Sequence, residues 1–260
     1  MNLIPITSRV RRAALPCLLA CLASANAASG AIISFENAAV TPETFLSNTT
    51  TISPVTINLR YSTDTNNRWV GFAFSAPEAA NLTSVSFKLN AVQSGALGAD
   101  VKISIVSLNG LTSVTPATTT GEPSFGDTVL YSETGTTPAS YNGTDTHITF
   151  TLSTPFLLEK TNSKGDTIFY GVVLSFTSSE ANRQIDLSAS TKAADNTNTG
   201  TSFYSNNGLS DGGAGWTTSA RAMNFVMNAT PIPEPASTVA LLAGGAVVCA
   251  LVARRKRRLF

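Results

Sequence analysis

Long stretches of the chain alternate between apolar and polar residues. In Val55-Thr56-Ile57-Asn58-Leu59-Arg60-Tyr61 the odd positions are apolar and the even ones polar. Val85, Phe87 and Leu89 alternate with Ser86 and Lys88. The same holds for Val101, Ile103 and Ile105 with Lys102 and Ser104, and for Ile148, Phe150 and Leu152 with Thr149 and Thr151. Side chains of an extended chain point to opposite faces in turn, so this period predicts half-buried strands. Residues 167–176 (TIFYGVVLSF) are apolar on both faces and read as a central strand. Further strands are expected at 32–36, 69–74, 128–132 and 184–188, and a last one around Met223, Phe225 and Met227. Asn109-Gly110, between apolar runs, is a hairpin signal, and Asn142-Gly143 and Asn207-Gly208 mark turns. Residues 112–124 and 189–200 read as long loops. The body shows neither a sustained 3.6-residue stripe nor an internal repeat. The expected class is therefore all-β, an antiparallel β-sandwich of jelly-roll type.

The two ends obey different rules. Arg9, Arg11 and Arg12 precede a short apolar run at 13–23, and Ala25-Asn26-Ala27 places small residues where a signal peptidase reads them. Residues 1–27 are thus expected to be a signal peptide cleaved after Ala27. The alternative is a lipoprotein, since Leu18-Leu19-Ala20-Cys21 puts a cysteine after a small residue. At the other end three blocks follow without a gap. In Pro231-Ile232-Pro233-Glu234-Pro235 the three prolines have no N–H to donate, and the block favours an extended stalk. Residues 237–253 carry no charge and no proline, enough for a helix of about 25 Å at ~1.5 Å per residue. This is expected to be a single transmembrane helix with snorkelling flanks. Arg254, Arg255, Lys256, Arg257 and Arg258 then supply a stop-transfer cluster that holds its end in the cytoplasm.

The order Pro233-Glu234-Pro235, apolar helix, Arg-rich end resembles the PEP-CTERM sorting signal of secreted proteins of Gram-negative bacteria. The resemblance covers residues 231–260. It implies an exosortase-like processing enzyme as partner and a transient inner-membrane anchor. It also implies delivery to the cell envelope, outer surface or extracellular matrix, a biofilm or exopolysaccharide setting. The body, residues 28–230, is similar to the choice-of-anchor domains of type R. The residues that carry this are Leu82-Thr83-Ser84-Val85-Ser86-Phe87-Lys88-Leu89 with the following V-x-I-x-I strand, then Phe156-Leu157-Leu158, Ile168-Phe169-Tyr170-Gly171-Val172-Val173-Leu174 and Trp216. That family implies a β-sandwich and no activity.

Cysteine and charge usage agree with export. Cys17, Cys21 and Cys249 fall in the two end segments, so the body holds no disulfide. At about 200 residues it is long enough to bury a substantial core unaided. The body has nine basic against fifteen acidic residues, a net charge of −6, whereas the whole chain carries +1. Such a surface does not attract nucleic acid.

Signatures of catalysis are sparse, and no enzymatic activity is expected. The single histidine, His147, shares a strand face with Thr149, opposite Ile148 and Phe150, and is expected on the solvent side. No G-x-S-x-G elbow and no H-E-x-x-H accompanies it, so neither a triad nor a zinc site is expected. For Ca²⁺, Asp195-Asn196-Thr197-Asn198-Thr199-Gly200 and Asp64-Thr65-Asn66-Asn67 offer hard oxygens. Both miss the ligand spacing of a calcium loop, which favours Asx-rich turns over a cation site. The rival role is carbohydrate binding through exposed aromatics, with Trp69, Tyr204, Trp216 and Tyr141 as candidates. Against this stands core or core-edge packing of the two tryptophans. The N-x-[ST] matches at Asn48, Asn81, Asn142 and Asn228 are read as a product of a Thr- and Asn-rich composition.

Overall fold

The computed structural model describes residues 30–41, 44–49, 53–61, 67–111, 129–177, 182–191, 197–206 and 216–232. The segments expected to be the signal peptide, the sorting motif and the transmembrane helix fall outside these residues, apart from Pro231 and Ile232. No helix among the described residues is long and apolar enough to cross a membrane.

The strands run β1 (Ile32–Glu36), β2 (Thr44–Asn48), β3 (Pro54–Tyr61), β4 (Arg68–Ser75), β5 (Ala80–Val92), β6 (Asp100–Leu108), β7 (Val129–Thr136) and β8 (His147–Leu158). They continue as β9 (Phe169–Phe176), β10 (Arg183–Ser190), β11 (Thr199–Asn206), β12 (Thr217–Thr218), β13 (Ala222–Met223) and β14 (Phe225–Pro231). Every pairing is antiparallel. The all-β class and the alternating strands are thus as the sequence predicts.

The layering differs from two separate sheets. One hydrogen-bonded path runs β1-β8-β5-β10-β3-β4-β9-β6-β7, with β14 and β2 branching from β5 and β11 and β12 from β4. The long strand β5 makes this continuity. Its first part, from Ala80 to Phe87, pairs with β14, and beyond it Leu89, Ala91 and Val92 pair with β10. Asn224 sits at the changeover. Its carbonyl accepts Lys88 N–H at 3.0 Å, while its own N–H donates to Ser188 at 2.9 Å.

The two ends of the path, β1 and β7, nearly meet. At Gly135 an added Cβ would collide with the Ala31 carbonyl and lie 2.8 Å from Ile33 Cγ1, and at Gly30 it would collide with the Thr134 carbonyl. Only glycine lets the backbones come this close. Side chains extend the seam to β8, where Tyr131 Oη donates to the Thr154 carbonyl at 2.9 Å and Ser153 Oγ donates to the Glu133 carboxylate. The result is a nearly closed, barrel-like sheet whose two halves pack face to face as in a sandwich.

One core fills it. Phe72 of β4 stacks on Phe225 of β14, with ring centroids 4.0 Å apart, and meets Phe87 of β5 edge-on at 5.7 Å. Phe87 in turn meets Phe150 of β8 at 6.0 Å. A second cluster lies on the other face of β4, β9 and β6, where Phe203 and Trp216 cover Ala73, Val106 and Val173. This second layer explains why residues 167–176 are apolar on both faces. β9 is central, between β4 and β6.

Three local expectations are revised. Asn109-Gly110 does not close a two-residue hairpin: β6 and β7 do pair, but the connection runs from 109 to 128. Leu111 instead turns toward β11, its carbonyl accepting Thr201 N–H at 3.1 Å. Residues 189–200 are shorter as a connection than expected, since β10 reaches Ser190 and β11 begins at Thr199. β2 and β11 are strands that the alternation did not mark. Residues 112–124 and Asn207-Gly208 lie outside the described residues.

Gly135→Val tests the seam. It is expected to cost about 1–3 kcal/mol in chemical denaturation, because backbone rather than a flexible side chain must give way. Ser132→Val, exposed on the same strand, is expected to stay within about 0.5 kcal/mol of the parent.

Candidate functional site

The aromatic candidates separate into two environments. Trp216 is buried, its ring 5.1 Å from Phe203 and 6.4 Å from Trp69. It closes the second cluster and has no open face for a ligand. Trp69 is half-buried against the same cluster. Tyr141 packs edge-on against Phe35 at 5.0 Å and donates its hydroxyl to the Asp145 carbonyl at 2.9 Å, a structural use within a turn. Tyr204 lines a cavity.

That cavity, of about 380 Å³, is lined by Ile57, Arg68, Tyr204, Thr218, Ser219 and Arg221. Strand register builds it. β11 pairs with β4 so that Tyr204 lies opposite Val70 and Asn206 opposite Arg68. β12 pairs antiparallel with β11, with Thr217 opposite Tyr204, and brings Thr218 and Ser219 to the rim. Arg68 is half-buried and doubly constrained. Its guanidinium carbon lies 4.8 Å from the Tyr204 ring centroid, and its Nε donates to Asn206 Oδ1 at 2.7 Å. The exposed Arg221 donates from Nη1 to the Thr56 carbonyl at 3.3 Å. Arg60 lies directly across the β3–β4 pair from Arg68, with its Nε buried and lacking a hydrogen-bond partner.

Three cations therefore gather in a body whose net charge is −6. Among the described residues that line the cavity none is acidic. Burial, and after it the charge of Arg60, lowers the Arg68 pKa, with Arg221 adding to the effect and Tyr204 opposing it. The guanidinium stays charged throughout the physiological range. An arginine row, a tyrosine face and two hydroxyls can hold an anion and hydrogen-bond a polar ligand, but they offer no acid–base pair.

His147 is not on the solvent side. It is buried, between Glu36 of β1 and Lys88 of β5, because β8 is flanked on both edges. Thr149, on the same face, is buried too and bonds Ser86 Oγ at 2.8 Å. The imidazole Nδ1 shares a 2.8 Å hydrogen bond with Thr146 Oγ1. Burial first, then Lys88, lowers its pKa, with Glu36 opposing.

Of the calcium candidates, Asn198 serves the sheet, its Oδ1 accepting Ser75 Oγ at 3.1 Å. Asn67 is fully buried, with no hydrogen-bond partner at either side-chain atom. Asp64, Asp195 and Asn196 lie outside the described residues. Among the described residues no group of three His, Cys, Asp or Glu side chains could hold a metal. Ala25, Ala27, Pro233, Glu234, Pro235, Arg254, Arg255, Lys256, Arg257 and Arg258 also lie outside them. Sequence reasoning singled out Tyr204 but missed Arg68 and Arg221. Their convergence on one cavity is set by the folding together of β4, β11 and the segment after β12, which leaves no local pattern.

The body's last strand leads straight into the tail. Pro231 pairs with Ala80, and Ile232 N–H donates to the Ala79 carbonyl at 2.9 Å. Residues 231–258 match the family model of the PEP-CTERM protein-sorting motif. The chain therefore carries an exosortase-type sorting signal, the mark of an exported protein with a surface or membrane-associated location. Its first two residues are already held by the sheet. No curated protein and no solved structure matches the chain.

The histidine gives a pH prediction. Folding lowers the His147 pKa from its ordinary value of 6.5, so around and below that pH the unfolded chain binds more proton than the folded chain. Stability should be level above about pH 7 and fall as pH drops toward about 5, before carboxylates titrate. In His147→Gln, thermal midpoints measured across that window should lose this slope.

Proposed function

We propose that the chain is an exported, non-enzymatic cell-envelope or extracellular-matrix protein, one β-domain delivered and released through its C-terminal sorting signal. The observation that carries this reading is the sorting motif at 231–258, which begins on the last strand of the domain. In this reading residues 237–253 partition into the inner membrane, and Arg254, Arg255, Lys256, Arg257 and Arg258 stop transfer. An exosortase-like enzyme then processes the tail near Pro233-Glu234-Pro235. The setting is an exopolysaccharide or biofilm matrix, and the body is a domain of the choice-of-anchor kind. The cysteine-free body suits this role: it depends on its core alone and is indifferent to redox conditions outside the cell.

A second reading, a carbohydrate-binding module displayed at the surface, is favoured by one observation. Tyr204 lines an open cavity beside arginines and hydroxyls, the polar and aromatic mix a glycan site uses.

Intact mass of the protein recovered from the producing cells tests the sorting reading. A C-terminus near Pro233–Pro235 is the expected result, and a protein still ending at Phe260 would count against processing. Replacing the five basic residues 254–258 by serine is expected to reduce retention in the membrane fraction. Unchanged fractionation would remove the stop-transfer role.

A further inference from the structure

Among the described residues, the cavity of Arg68 and Tyr204 has no acidic lining residue to offset its arginines. Arg60 and Arg68 lie directly opposite each other on β3 and β4. Like charges in that position destabilise a sheet. Neighbours in the same cross-strand row are Gln184 beyond Arg60 and Asn206 beyond Arg68, both uncharged. Arg221 adds a third charge at the cavity wall. An anion seated between them would turn mutual repulsion into shared attraction.

The Arg68 guanidinium is also positioned in advance. The Tyr204 ring fixes its plane and Asn206 takes its Nε. What remains is the pair of terminal nitrogens, the edge that meets a planar carboxylate with two parallel hydrogen bonds. Little side-chain entropy is left to lose on binding. Around this charged centre stand the Thr218 and Ser219 side chains and the Ile57 wall. That arrangement suits a ligand with one anionic group on a hydroxylated body, more than it suits a bare ion.

We propose that this cavity binds the carboxylate-bearing sugar units of an acidic polysaccharide. Arg68 and Arg221 hold the carboxylate, Thr218 and Ser219 bond the ring hydroxyls, and Arg60 contributes its charge from across the strand pair. The proposal rests on the reading of the body as a glycan-binding module and names the class of glycan. It is independent of how the tail is processed.

The test is a calorimetric titration of the full chain, in neutral detergent at low salt, with tri-galacturonate. Two further titrants are its fully methyl-esterified counterpart and inorganic phosphate. Tri-galacturonate is expected to bind, and the neutral ester at least about tenfold more weakly, as loss of charged hydrogen bonds implies. Arg221→Gln and Arg68→Gln should each weaken the acidic ligand by about tenfold or more. Binding should also weaken as salt rises. Arg221 is exposed, so its variant is expected to keep the parent's thermal midpoint and to report on binding alone. Equal binding of acid and ester would overturn the proposal while leaving the glycan-binding reading in place. No binding of either would overturn both, and the sorting reading would stand. Phosphate binding as tight as tri-galacturonate would overturn the sugar assignment and leave a simple anion site. Full affinity in both arginine variants would move the binding elsewhere and overturn the assignment of this cavity.

Discussion

The contact on which the rest depends is the stack of Phe72 on Phe225. One ring belongs to the half built on β4, β9 and β6, the other to the half built on β5, β8 and β14. Without a disulfide in the body, nothing covalent ties these halves together beyond the chain itself. Burial of aromatic and branched side chains must offset the entropy of ordering some two hundred residues. Phe72, Phe74, Phe87 and Phe150 are all fully buried in the core cluster, which concentrates that burial where the two halves meet. β5 adds a backbone link by pairing with both halves along one edge.

Much of this was legible in the sequence. Alternation in residues 55–61, 85–89, 101–105 and 148–152 gave strand type and inner face correctly, because one face of each strand meets the core. What escaped had physical reasons. β11, Thr199–Asn206, is rich in Ser, Thr and Asn and becomes a strand by pairing with β4, a tertiary effect that its own composition does not encode. His147 follows the alternation, but the polar face of β8 is covered at its first residues, His147 and Thr149, and turns exposed only from Thr151 onward. The near-closure of the sheet depends on Gly30 and Gly135, far apart in the chain and unremarkable until their backbones are seen to meet. The cavity follows the same logic. Its tyrosine could be nominated from sequence, but the gathering of Arg60, Arg68 and Arg221 is a property of the assembled strands.

The sorting motif and the domain share residues. Pro231 is the last residue of β14, and the hydrogen bond from Ile232 to Ala79 is one residue short of Pro233. A processing enzyme that reads the Pro-Glu-Pro stretch thus works beside a folded sheet edge, with little slack between substrate peptide and domain. The stability of β14 against β5 then bears on function as well as on folding. It keeps the body intact up to the residue where the signal begins, and it does so through the same strand that supplies Phe225 to the core.

Native-state hydrogen exchange tests this central claim most directly. If the nearly closed sheet is one cooperative unit, amides of β4, β5 and β14 should exchange with a common free energy equal to that of global unfolding. The Phe225 and Met227 amides should be as protected as that of Phe72. A separate, lower-energy opening that exposes β5 and β14 while β4 and β9 stay protected would contradict the account, since the two halves would then be independent and the sorting signal would hang from a loosely held strand.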